Sequence, residues 1–87
     1  MAAERLTVSV ISPERVIYEG DADMVVAPAW DGEVGILRGH APFMVLLGEG
    51  DLRLRRGDRE DRFWVGGGFL QVADDVVTVM SERARMD

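Results

Sequence analysis

At 87 residues the chain is long enough for one small domain, which buries a little over ~60% of its unfolded surface on folding. A hydrophobic content of 47% supports a single core, and the absence of cysteine excludes a disulfide framework and thiol chemistry. Ten basic against sixteen acidic residues leave a net charge of −6, which argues against nucleic acid or anionic lipid as partner.

Met1-Ala-Ala-Glu-Arg5 has no hydrophobic stretch behind it, so no signal peptide is expected. Leu6 to Val10 alternates apolar and small polar residues, the period of a half-buried strand. Ser12-Pro13 stops it, because proline cannot donate to a ladder. Val16-Ile-Tyr18 is a second β-prone run, closed by Glu19-Gly20, and Met24-Val-Val-Ala27 is a third, stopped by Pro28. Trp30-Asp31-Gly32 turns into a glycine-punctuated stretch, 31–42, read as a presenting loop. Its Val34, Ile36 and Leu37 are apolar enough to hold it against a core, which leaves Glu33, Arg38 and His40 facing outward. Phe43 to Leu47 is the longest continuous apolar run, as in a strand covered on both faces. It falls far short of the ~20 residues of a membrane span. A soluble, intracellular protein is expected.

Leu52 and Leu54 then alternate with Arg53 and Arg55. Arg56-Gly-Asp-Arg59 forms a hairpin tip, and Arg62-Phe-Trp-Val65 is the return strand. Gly66-Gly67-Gly68 suits a sharp bend where a strand changes sheet. A phosphate-cradling loop would need a following Lys-Ser/Thr and a helix, and neither pattern is present. Phe69 to Val72 resumes the strand, Asp74-Asp75 turns it, and Val76 to Met80 is the last. Ser81 to Asp87 reads as the start of a helix capped by Ser81. Strands at intervals of about eight to ten residues with turn residues between them predict an all-β, two-sheet sandwich of roughly eight to ten short strands. The chain reads as a single domain, 1–87.

Residues suited to chemistry are few. His40 is the single histidine, and no Ser, Thr or Cys lies between Ser12 and Thr78 to serve it as nucleophile. A locally hydrogen-bonded or interface histidine is favoured over a catalytic one. One histidine without cysteine leaves only carboxylates for a metal. Glu60-Asp61 and Asp74-Asp75 read as solvated turns. Trp30 and Trp64 would serve a sugar- or peptide-binding module, the alternative to a scaffold without an active site.

Asp31-Gly-Glu-Val-Gly-Ile36 with Gly39-His-Ala-Pro42 closely resembles the epsilon subunits of F-type ATP synthases. So do Ser12-Pro-Glu-Arg-Val-Ile-Tyr-Glu-Gly20, Val25-Val-Ala-Pro28 and Gly66-Gly-Gly-Phe-Leu-Gln-Val72, in matching order and spacing across nearly the whole chain. The resemblance implies a β-sandwich of the rotary central stalk that couples ion-driven rotation to ATP synthesis without catalysing it. It further implies binding to the gamma subunit and the c-ring, no cofactor or ATP site, and a peripheral place on the cytoplasmic face of a bacterial membrane. Carried over by motif, Glu33 and His40 would face the c-ring, and Ser12, Met44 and Val45 the gamma subunit. Two departures stand out. Arg38-Gly39-His40 replaces the usual Pro-Gly-His, and Asp87 falls about where family members continue into a C-terminal helical hairpin. A chain ending there is expected to couple rotation without the hairpin's inhibition.

Overall fold

In the computed structural model, which describes residues 5–86, alternation along the chain becomes ten strands. They are β1 (Leu6–Ile11), β2 (Val16–Ala22), β3 (Met24–Ala29), β4 (Gly32–Leu37), β5 (Phe43–Leu46), β6 (Glu49–Arg56), β7 (Arg59–Gly66), β8 (Phe69–Ala73), β9 (Val76–Met80) and β10 (Ala84–Met86). Five form a first sheet in the order β2-β1-β9-β8-β5, and five form a second in the order β10-β7-β6-β3-β4. Neighbours pair antiparallel except β1 and β9, which run parallel with Thr7 opposite Val76 and Ile11 opposite Met80. No helix occurs among the described residues.

The two sheets meet through the residues that the alternation sets apart. Val8 and Val10, Leu52 and Leu54, and Val77 and Val79 are all essentially inaccessible. Each such side chain contributes about 1.5–3 kcal/mol when fully buried. Tyr18 of the first sheet meets Phe63 of the second with ring centroids 5.1 Å apart at 57°, a tilted contact of the kind aromatic quadrupoles favour.

The upper end of the sandwich carries Ile11, Ala29, Gly48 and Gly66, and backbone bonds close it. Trp30 N donates to Leu46 O (3.0 Å), Leu47 N to Gly68 O (2.9 Å), and Gly67 N to Gly48 O (3.1 Å). Gly66 to Gly68 is indeed where the chain leaves the second sheet for the first, with Gly67 and Gly68 at φ +84° and +108°. Side chains close the lower end. Asp23 accepts from Gly57 N (2.7 Å) and from Arg5 Nε (2.8 Å), while Asp21 accepts from Arg56 (2.9 Å).

Several expectations are corrected. The stretch 32–37 is a strand rather than a loop, because its glycines still let Val34 and Ile36 face inward opposite Ala27 and Val25. Leu37 does not help hold it and is 57% exposed. Pro28 lies inside β3. Its missing N–H costs nothing there, since pairing with β6 ends at Val26 and Pro28 contributes only its carbonyl, to Gly48 N at 2.9 Å. The run Phe43–Leu47 is not covered on both faces. β5 is an edge strand, so Phe43 and Val45 pack inward while Met44 and Leu46 are exposed. The expected C-terminal helix is β10. Ser81 Oγ meets Arg83 N at 3.3 Å in a tight turn, and β10 then pairs with β7. Seven residues are too few to sustain a helix alone, and an open sheet edge satisfies their backbone groups instead. Asp87, the last residue of that expected helix, lies outside the described residues.

Gly68→Ala is expected to destabilise the domain by about 3 kcal/mol or more. An added Cβ would run into the Met80 carbonyl oxygen and lie 2.9 Å from Ser81 Cα, at a φ already positive, whereas the left-handed backbone alone costs about 1–2 kcal/mol. Gly57→Ala, with φ +61° and nothing within 4 Å, should show only that smaller cost. Urea midpoints of the two variants check this, and equal losses would remove the steric argument.

Asp23 is held below its ordinary pKa of 3.8, first by the Gly57 amide and then by the Arg5 guanidinium. A carboxylate depressed in the folded state adds stability above its unfolded pKa and loses it as pH falls through the folded one. Acid destabilisation setting in below about pH 4 should therefore be shallower in Asp23→Asn than in the wild type. Parallel pH profiles of the urea midpoint would show that Asp23 is not a source of it.

Candidate functional surfaces

The outward rows of the two sheets differ in chemistry. On the first sheet the register aligns Ser9, Thr78, Gln71 and Met44 across four strands, and above them Ile11, Met80, Phe69 and Leu46. Below them stand Thr7, Val76 and Ala73. Not one of these side chains is ionisable. Met44 and Leu46 are 62% and 63% exposed on the edge strand. Charge returns only on β2, where Glu19 lies opposite Ser9 and Asp21 opposite Thr7.

The outer face of the second sheet is laced with ion pairs. Arg53 meets Glu33 at 3.2 Å, Arg62 meets Glu60 at 3.0 Å and Asp51 at 3.7 Å, and Arg83 meets Glu49 at 2.8 Å. Arg83 and Arg85 also sit over the Trp64 ring, 5.6 and 4.6 Å from its centroid. The upper half of this face holds an open cleft of about 600 Å³ whose charged lining is Glu33, Glu49, Asp51, Arg53 and Arg62. Every one of those charges has a partner of opposite sign. Exposed pairs contribute only about 0–1 kcal/mol each, so they mainly keep this face solvated. Among the described residues, no group of three His, Asp or Glu side chains is disposed to hold a metal ion.

The five residues singled out in the sequence do not form one site. Glu33 lies at the upper start of β4 with its side chain 64% exposed. His40 follows the lower end of the same strand. Four residues of rise, about 13 Å, separate the strand positions 33 and 37 alone. His40 does not face freely outward. It is half-buried, its ring 4.7 Å from that of Phe43 and its Nδ1 2.7 Å from the Ala41 carbonyl. The turn that carries it is pinned by Gly39 N donating to Asp75 Oδ1 at 2.7 Å. Ser12 closes the β1–β2 turn, its Oγ donating to the Arg15 carbonyl at 3.2 Å. Met44 projects from the uncharged face, whereas Val45 packs against the core, so the outward residue after Met44 is Leu46.

Trp30, 69% exposed at the β3–β4 tip, and Trp64 on β7 have β6 between them and make no common platform. Sequence reading of single motifs missed the uncharged face as a unit. Its signal was available in the polar phase of the strands, which is Ser, Thr and Gln in β1, β8 and β9 and arginine in β6.

Comparison with known proteins agrees with this architecture. The family described as ATP synthase, Delta/Epsilon chain, beta-sandwich domain matches residues 5–87. The ATP synthase epsilon chain of Leptospira borgpetersenii is 41% identical over 86 residues, covering 99% of this chain and 68% of that protein. The epsilon chain of Rhodopirellula baltica is 48% identical over 75 residues, covering 86% and 59%. Among solved structures, a chain of the Euglena gracilis mitochondrial ATP synthase shares the fold with a TM-score of 0.88 at 23% identity, over 97% of this chain and 54% of that one. A chain of the Tetrahymena thermophila mitochondrial ATP synthase central stalk and c-ring does so with 0.72 at 17% identity, over 90% and 63%. The chain belongs to the beta-sandwich domain family of ATP synthase delta and epsilon chains.

Proposed function

We propose that this domain is a non-catalytic rotor element of an F-type ATP synthase, docking on the gamma subunit through the uncharged face of its first sheet. The carrying observation is the contrast between the two sheets. A face without ionisable groups loses little on desolvation, whereas burying an ion-paired face costs several kcal/mol per charge taken from water. Only the first sheet is therefore suited to a close, water-excluding contact.

Three gaps of about 4.8 Å between strands and five residues of about 3.4 Å give that face a flat area of only roughly 250 Å². A stable interface needs about 800 Å² per partner, so the footprint extends onto adjoining loops. The upper end, with Ser12 beside Ile11, is the natural extension. Met44 belongs to this contact, and Leu46 takes the place that the motif match gave to Val45.

Glu33 is the residue offered to the c-ring, since it stands at an end of the sandwich on an exposed hairpin. A second ring contact through His40 would require the ring to reach both ends of β4. The reading therefore rests on Glu33, with His40 supporting the start of β5 through Phe43. The working place of such a subunit is peripheral to the membrane-bound complex, on the cytoplasmic face in a bacterium. A coupling element must resist shear, and a close-packed sandwich has the low compressibility for it.

Met44→Arg is expected to weaken binding of the chain to a gamma-containing catalytic complex by about tenfold while leaving the melting temperature unchanged. Its exposed position predicts the second result, and burial of a new charge in the interface predicts the first. Titration of the labelled chain against complexes prepared with and without gamma checks it, and unaltered affinity would exclude the face. Glu33→Ala should alter stability by no more than about 0.5 kcal/mol yet lower ATP-driven ion pumping relative to hydrolysis. An unfolded variant would make Glu33 a structural residue instead.

A further inference from the structure

Where β9 passes over to β10, a groove of about 380 Å³ opens at the upper end, lined by Pro13, Gly66, Gly68, Phe69, Met80 and Glu82. Phe69 and Met80 are direct register partners at the head of the uncharged face, so the groove continues the apolar row that begins at Ile11 and Leu46. Two glycines line it. A Cβ on Gly68 would strike the Met80 carbonyl, and one on Gly66 would lie 2.6 Å from the Trp64 ring and 2.9 Å from Arg83 Nη2. Gly68 is held to glycine by its positive φ and by the Met80 backbone, and Gly66 is crowded by the Trp64 ring.

Glu82 stands exposed on the rim. Glu33, Glu49, Glu60 and Asp51 each meet an arginine. Glu82 forms no ion pair or hydrogen bond among the described residues. The groove thus joins the apolar surface of Phe69 and Met80 to a carboxylate on its rim that has no partner among the described residues.

We infer that the groove receives one lysine or arginine side chain of the gamma-type partner that docks on the first sheet. The inference rests on that docking reading and adds an anchor to it. A long cationic side chain buries its aliphatic stem on apolar surface while its head stays at a polar edge. Phe69 and Met80 offer the stem its surface, and methionine adapts to the shape of an inserted chain. Glu82 offers the head its counter-charge. A purely aliphatic occupant would leave the carboxylate facing an apolar partner, and an acidic one would be repelled.

Equilibrium binding of the full chain to the gamma-containing catalytic complex tests this, at low salt and at about 1 M salt, where the Debye length falls to about 3 Å. Glu82→Gln should weaken binding about twofold to fivefold at low salt, the yield of one exposed ion pair, and match the wild type at high salt. Met80→Ala should weaken it about fivefold or more at both, as for an interface anchor. Should Met80→Ala lower the melting temperature, Met80→Gln keeps the length of the chain and replaces it. Wild-type binding with an unaffected Glu82→Gln overturns the cationic occupant. An unaffected Met80 variant places the groove outside the interface. Failure of the wild type to bind any gamma-containing complex removes the docking reading itself.

Discussion

The layer of aliphatic side chains between the two sheets sets the terms for everything else in this molecule. In so short a chain every strand must give one of its two faces to that layer, because the side-chain period of a strand is two. The core claims Val8, Val10, Val77 and Val79 from the first sheet and Leu52, Leu54, Phe63 and Val65 from the second. The opposite phase of each strand is released from packing and is open to chemistry of another kind. On the second sheet it holds arginines and carboxylates that neutralise one another, and on β1, β9, β8 and β5 of the first it holds no charge at all. Two faces of one scaffold thereby differ in what it would cost to take them out of water.

The ends of the sandwich are held by different means. Backbone bonds and glycines close the upper end, where the chain crosses between sheets. Carboxylates and guanidiniums around Asp21, Asp23, Arg5 and Arg56 close the lower one. The upper closure is indifferent to pH and salt, while the lower weakens as pH falls or salt rises. The conditions that loosen this domain should therefore open it from the lower end, away from Ser12, Glu33 and the groove beside Glu82.

The fold was legible where one phase dominates a strand, as in Leu6 to Val10 or Leu52 to Arg55, and where turn residues are unambiguous. Asp74 and Asp75 do adopt positive φ, 52° and 62°, and Gly66 to Gly68 do carry the chain between sheets. It was illegible where backbone permissiveness masks periodicity. Gly32, Gly35 and Gly39 read as a loop because glycine carries no information about facing, although Val34 and Ile36 kept the alternation. Ser81 onward read as a helix because a serine before charged residues has the composition of a cap, while the open edge of β7 that recruits it lies far away in sequence. The family could be read from motifs, but those motifs point to single residues. Which of them share a surface depends on register, and register put Glu33 and His40 at opposite ends of one strand and turned Val45 inward.

One feature of the topology bears on how the domain comes into being. β1 occupies the second position in its sheet, flanked by β2 and by β9 in parallel, so Thr7 waits for Val76 before its second neighbour exists. Closing so long a loop slows folding, since the entropy is lost before the contact repays it. During synthesis the second sheet can assemble β3, β4, β6 and β7 early, whereas the first remains split until β8 and β9 have emerged. The uncharged face, assembled across β1, β9, β8 and β5, thus forms only once β8 and β9 are in place. A chain that has not yet paired β9 lacks this face, so any partner that recognises it selects for domains whose first sheet is complete.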